Sequence, residues 1–573
     1  MIMAQDDDDE DEDPLRRKPM NVGVGDEQHL DDPLRDFPDV PVGNDVDLAQ
    51  LRGYVAVTAA ALEAQLAKLI EIPSISSDFS HRADTVRTAH HLRGWIQQWC
   101  GGRVRLVEPG IQETEGGEHY PIPPVLLVGF GDDDHPDKPT LLVVGHYDVL
   151  PAHRTDHDGW TSEDPFTLHA MEFAPTKGDF PAKPETRLLG RGTASSKGPI
   201  LAWIWAALIF HRAAVDLPVN LKMLIQGMEE SESECLPELI RLEFQPAGFL
   251  YEVDFVTVLA GTWADHVKPS LIYGLRGLVT AEVEVRGGSR SLHSGSYGGV
   301  IHEPMHDLVQ LLASLSDGLD DISIEGVGVN AVPPVSTAEL QDVHPISLDV
   351  EQVKRDAGGL SFLTGDDKEA IMMNRTRFPA LTIHGIDSST SRDACIRRVI
   401  PNVATAKLSI RLAPPQQHQI VQEALREHLN QRFSALETPN TMTITAEGSD
   451  PWLTNPDNLL FESAVIAFGE ISGTVPDFIR DGFTSVAASE LSQQLEVPVL
   501  VLPVGPPSCN LHSEDENIPR KRLVENVHIA MTMIDELARG PQVRGFVSSK
   551  RRNRDRARLG PLNKVRSLWY GLS

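Results

Sequence analysis

The sequence predicts an α/β protein, with a mostly parallel sheet carrying helices on both faces and a smaller α+β lid interrupting it. Three observations carry this expectation. Short apolar runs, Val125 to Phe130, Leu141 to Val144 and Val499 to Leu502, and the largely apolar Leu221 to Gln226, have the length and texture of strands buried on both sides. Helical patterns lie between them, giving the βαβ rhythm of a parallel sheet. In mid-chain, Val279, Ala281, Val283 and Val285 alternate with Thr280, Glu282 and Glu284, as a strand with one wet face should.

Taken in order, residues 1–50 form an acidic tail that includes the run Asp6 to Asp13. It buries too little apolar surface to offset its chain entropy and reads as disordered. Residues 51–274 form the first part of the main domain. Leu62, Leu66, Leu69 and Ile70 recur at helical spacing and stop before Pro73. Pro199 to Arg212 reads as a buried helix, too short to cross a bilayer. Residues 275–445 form the lid, with a helix from about His302 to Leu315 and strands at Ala380 to His384 and Thr405 to Leu412. Residues 446–540 resume the α/β pattern. Pro498 and Pro503 bracket the Val499 strand, and Leu523 to Leu537 forms a closing helix ended by Gly540. Residues 541–573 are a basic tail.

The chain has 573 residues, with 51 Lys and Arg against 83 Asp and Glu, a formal charge of −32. Such a charge argues against nucleic acid or an anionic membrane as partner of the main body. The four cysteines, Cys100, Cys235, Cys395 and Cys509, form no CxxC pair, as reduced thiols of a cytoplasmic protein would not. The N-terminus lacks the basic-then-apolar order of a secretory signal.

The chemistry centres on LLVVGHYDVLPA, Leu141 to Ala152. Side chains alternate along a strand, so His146 and Asp148 share a face, a common way to present a metal ligand with its orienting carboxylate. The bland alternative is a strand-end histidine bonded to a local acid. Glu229 and Glu230 follow the Leu221 strand in LIQGMEESES, where one carboxylate can hold a metal while the other moves protons. His512 follows the Val499 strand in NLHSEDEN. All three segments end at the loop side of strands, where ligands gather in open α/β sheets. His146, Glu230 and His512 make a His₂Glu set, a ligand complement of catalytic zinc.

Here the chain resembles the co-catalytic metallopeptidases that include carnosine dipeptidase, Cys-Gly dipeptidase, aminoacylase and glutamate carboxypeptidase. The likeness is strongest to the cytosolic carnosine and Cys-Gly dipeptidases. It spans roughly residues 60–540 and rests on HYDVLPA, GRG and KGP around Thr193 to Ser196, MEESES, YGLRG at Tyr273, LHSGSYGG at Leu292, MNRTRFPALTIHGI at Met373, LSIRLAP at Leu408 and HSEDEN. The resemblance implies hydrolysis of small peptides or N-acyl amino acids by a homodimer joined through the lid. It implies His146, Glu230 and His512 as metal ligands, Asp148 as partner of His146 and Glu229 as general base. His293 would serve the neighbouring subunit's site, Arg411 would hold the substrate carboxylate, and Arg480 and Thr484 lie in the substrate-binding turn.

The departures from that family are at defined positions. Ser195 and Ala260 stand where the family has two metal-ligand aspartates, one of them bridging, and Phe483 replaces a glycine of the substrate turn. The turn after HGI has become DSSTSRDACIRR. Without a bridging anion, two nearby cations lose the charge that screens their repulsion. The expectation is therefore a hydrolase with one zinc ion rather than two. An inactive paralogue acting as a binding or regulatory subunit is the alternative, in which the metal is absent, and different chemistry such as acyl transfer comes last.

Overall fold

The computed structural model describes residues 34–35, 43, 46–113, 117–131, 135–152, 159–173, 184–317, 321–389 and 398–540. Its centre is a sheet ordered Gly102–Val107, Val125–Phe130, Asn220–Gln226, Thr140–His146, Phe255–Leu259, Val499–Leu502, Ser270–Leu275 and Trp452–Leu453, with Asp477–Asp481 beside Ser270–Leu275. The strands from Asn220–Gln226 to Val499–Leu502 run parallel. Outside them direction reverses. Val125–Phe130 is antiparallel to both neighbours, and Ser270–Leu275 is antiparallel to Val499–Leu502 and Trp452–Leu453. The expected mostly parallel sheet is thus a mixed one. An unbroken apolar run reports burial on both faces and carries no information on strand direction.

Both faces are covered, as expected. Along Thr140–His146, Leu141 and Val143 enter one core while Leu142 and Val144 enter the other. The first core holds the Lys197–Arg212 helix, buried from Lys197 to Phe210. The amphipathic Arg520–Arg539 helix packs there too, through Leu523, Val527, Met531, Ile534 and Leu537. The second core is closed by Leu236–Glu243 and Val486–Leu495. Among the described residues, no single helix is long and apolar enough to cross a membrane.

The lid is an antiparallel sheet ordered Ala380–Ser388, Val403–Leu412, Gly277–Arg286 and Thr441–Ser449. Val279, Ala281, Val283 and Val285 face the Pro304–Ala313 and His418–Ala435 helices, so the alternation read from sequence marks the lid core. The two passages between domains run side by side. A Cβ on Gly277 would meet Ser449 O and Pro451 N, each at 2.6 Å, so only glycine fits at that crossing.

Ordered structure begins before residue 51. The Leu48–Val57 helix is capped by Asp47, whose carboxylate accepts the Gln50 N–H at 2.8 Å. Most of the acidic tail, all of the basic tail and most of the DSSTSRDACIRR turn lie outside the described residues.

Candidate functional site

His146 ends its strand at the carboxyl end of the parallel strands. Its Nδ1 lies 3.1 Å from Asp148 Oδ1. Asp148 is fully buried, and its oxygens collect further donors. The Glu229 N–H donates to Oδ1 at 3.2 Å, and the Glu230 N–H and Ser76 Oγ donate to Oδ2 at 3.0 and 2.7 Å. A single carboxylate therefore orients the imidazole and hangs the two-glutamate turn beside it. The Asp148 carboxylate accepts the Nδ1 proton, which leaves Nε2 facing the cleft, where a metal ion would take the place of its proton.

That Nε2 lies 3.7 Å from Glu229 Oε2. Ligand atoms of His146, Glu229 and Glu230 all fall within 4.8 Å of one another. His512 approaches from the other side, with Nε2 at 3.2 Å from Glu230 Oε1, close in charge but poorly aligned as a hydrogen bond. Its φ of 64° is a left-handed conformation held by its surroundings. The structure thus gathers His146 with both glutamates and brings His512 to Glu230 alone.

Burial disfavours charge on His146, but Glu229, Asp148 and Glu230 outweigh it and hold the imidazole pKa well above its ordinary value. Burial raises the Glu229 carboxyl, His146 pulls it back, and Glu230 and Asp148 add to the rise. Three carboxylates around one imidazole leave negative charge that a cation would offset. The donors suit zinc: His146 and Glu230 offer atoms within 4.8 Å of one another, and the 3.2 Å between His512 Nε2 and Glu230 Oε1 is near the edge, about 3.4 Å, of a tetrahedron with bonds of about 2.1 Å. The residues present therefore fit one such ion.

Ser195 lies on the turn opening the Lys197–Arg212 helix and lines the same cleft. The turn is clamped by Glu516, a wholly buried carboxylate. Glu516 accepts from Arg191 Nη1 and the Gly192 N–H at 3.0 Å each, and from the Ala194 and Ser195 N–H at 3.0 and 2.8 Å. The Ser195 and Ser196 hydroxyls have no hydrogen-bond partner among the described residues. A neutral hydroxyl at 195 and a methyl at Ala260 add no anionic donor for a second ion.

The cleft, about 1940 Å³, is lined by both domains. From the lid come Leu278, Thr280, Arg411 and Glu447. Arg411 Nη1 donates to Thr484 Oγ1 at 2.9 Å, and Thr484 donates to Arg276 O at 2.8 Å, so the two predicted substrate residues meet. Arg480 does not line the cleft. It pairs with Glu339 at 3.2 Å and stacks over Tyr273 at 5.7 Å, a structural use of its guanidinium. His293 is exposed on the lid, its Nδ1 accepting the Gly295 N–H at 3.1 Å, and it too lies outside the lining of this chain's cleft.

Sequence reasoning missed Ser76, Lys197 and Glu516 as supports of the site. Glu516 sits in an acidic stretch and carries no local signal. Lys197 begins the KGP segment, and only its complete burial reveals that its Nζ ties the turn to Ile72 O at 2.6 Å.

Residues 142–536 match the model of peptidase family M20/M25/M40. The chain is 36% identical over 442 residues to Beta-Ala-His dipeptidase of Homo sapiens, covering 77% of this chain and 83% of that protein. It is 35% identical over 456 residues to Cys-Gly metallodipeptidase DUG1 of Candida albicans, covering 79% and 90%. The solved structure of the di-peptidase Dug1p from Saccharomyces cerevisiae superposes with a TM-score of 0.77 at 32% identity, over 86% of this chain and 99% of that one. With the cleft, the strand-end histidine and the paired glutamates in place, this chain belongs to peptidase family M20/M25/M40.

Proposed function

We propose that the chain is a metallohydrolase of dipeptides or N-acyl amino acids, working with one zinc ion held by His146, Glu230 and His512. The observation that carries this is the convergence of His146, Glu229 and Glu230 ligand atoms within 4.8 Å. The dipeptidase relatives supply the substrate class. Zinc in such a site polarises a carbonyl and lowers the pKa of water to about 7. Glu229, fixed through its backbone to Asp148 and about a quarter exposed, would act as the base that takes a proton from the attacking water and returns it to the leaving amine. Asp148 holds the His146 ring through Nδ1, so that Nε2 would be free to hold the ion. Arg411 and Thr484 hold the substrate carboxylate, for which a planar guanidinium is well suited.

The same reading includes a homodimer through the lid, in which His293 polarises the carbonyl in the partner's cleft. Its exposure and its place outside the lining of its own cleft support this. Cytoplasmic residence is supported by Cys100 and Cys509, which are free and buried. The alternative of an inactive paralogue rests on Ser195 and Ala260, whereas the preserved grouping of base and ligands favours hydrolysis. The test is hydrolysis of β-Ala-His and Cys-Gly by the zinc-loaded protein. Glu229→Gln should lower kcat by about 10²-fold or more with zinc retained. A zinc-loaded wild-type protein that cleaves no dipeptide or N-acyl amino acid overturns the reading.

A further inference from the structure

Beside the charged residues of the cleft lies an apolar wall. Ala260, Gly261, Phe483 and Val486 line the cleft together with Glu229, Glu230, His512 and Arg411. Ala260, Phe483 and Val486 also pack on the same core beneath it, which includes Ile272. The contact between the two loops is close. Gly261 has φ +82°, and a Cβ there would come within 2.8 Å of Phe483 Cε1 and 3.1 Å of Ile272 Cδ1. The ring therefore lies on the bare backbone of the 260–262 loop, on a floor that a larger side chain at 261 would lift. Its own turn is anchored on both sides. Arg276 Nε donates to Gly482 O at 3.2 Å, and Ser485 caps the Val486–Leu495 helix by accepting the Ala488 N–H.

The position of this wall gives it a role. Thr484, the residue after Phe483, accepts the Arg411 guanidinium. Arg411, Thr484 and Phe483 line one cleft, so a carboxylate held by Arg411 leaves its own residue in the space that the ring walls. We propose that Phe483, backed by Ala260 and Gly261, selects substrates whose carboxylate-bearing residue has an apolar, preferably aromatic, side chain. The inference takes its substrate class from the hydrolase reading above. An aromatic side chain gains buried apolar area and ring contact on this wall, while glycine gains neither. A difference of about tenfold in affinity is in the range set by one good apolar contact.

The test is calorimetric titration of the zinc-loaded full chain carrying Glu229→Gln, which removes turnover, with N-acetylglycine, N-acetylleucine and N-acetylphenylalanine. The expected order is phenylalanine, leucine, glycine, with about a tenfold span. In the Phe483→Ala background the span should fall below about threefold, and Phe483→Leu should keep leucine binding while losing the aromatic advantage. Equal affinity for all three, no binding of any, or an unchanged span in both folded variants overturns the proposal. Hydrolysis by the wild-type chain is followed in parallel. Turnover without side-chain preference removes the wall and leaves the hydrolase reading, whereas ring-dependent binding without turnover removes the hydrolase reading and leaves the wall.

Discussion

The Glu516 carboxylate accepts the Ser195 backbone N–H at 2.8 Å, and with three further donors it fixes the turn whatever side chain projects from position 195. The turn is thus already formed for a ligand that Ser195 does not provide. Ser195→Asp combined with Ala260→Asp should add two anionic donors beside Glu230 and raise the zinc content from about one towards two per chain. Elemental analysis after dialysis reads this directly. A double variant that still holds one ion contradicts this expectation.

Removing the clamp itself should be costly. Glu516→Gln leaves Arg191, only 4% exposed, without its counter-charge and turns an amide N–H₂ towards donors. Breaking one partner of a buried pair costs about 3–5 kcal/mol. The expected outcome is a lower unfolding midpoint in urea, while Glu514→Gln, on an exposed neighbour, stays near wild type.

Asp148→Asn tests the orienting role. The amide would present a donor to at least one of His146 Nδ1 and the two glutamate N–H groups, all of which require an acceptor. Loss of such an outer partner lowers metal affinity or activity by about 10–100-fold. Zinc titration with a competing chelator should show weaker binding in the variant, with the far-ultraviolet circular dichroism unchanged.

Lys197 gives the chain a pH dependence. Burial pulls its pKa down to about 7, against the opposing pull of Glu516 and Asp148. The unfolded side chain keeps a pKa of about 10.4. Between these values the unfolded state binds the extra proton, so stability rises with pH, by at most about 1.4 kcal/mol per unit. Below pH 7 both states are protonated and this slope vanishes. Lys197→Met should be more stable than wild type at pH 6, with the gap closing by pH 9. A constant gap between urea midpoints across that range contradicts the assignment.

Much of the fold was legible because the signals were local. Val499 to Leu502 was bounded by prolines, and the structure gives the same limits. The alternation of Val279 to Val285 reported one buried face and found the lid sheet. Strand direction was not legible, since Val125–Phe130 reads the same whether its neighbours run with it or against it. At the candidate site, His146, Asp148, Glu229 and Glu230 could be singled out because each sits just beyond an apolar run, and the structure places them side by side. Arg480 was misplaced because its turn was read whole, although Glu339, 141 positions earlier in the chain, takes its side chain away from the cleft. Glu516 and the Phe483–Gly261 contact depend on segments hundreds of residues apart, which no local pattern encodes.

The central claim is a single metal centre built on His146, Glu230 and His512. Its most direct test is the zinc content of the purified full-length protein, measured beside His146→Ala and His512→Ala. The account predicts about one ion per chain in the wild type and marked loss in each variant. Two ions per chain, none, or one ion unaffected by either substitution would contradict it.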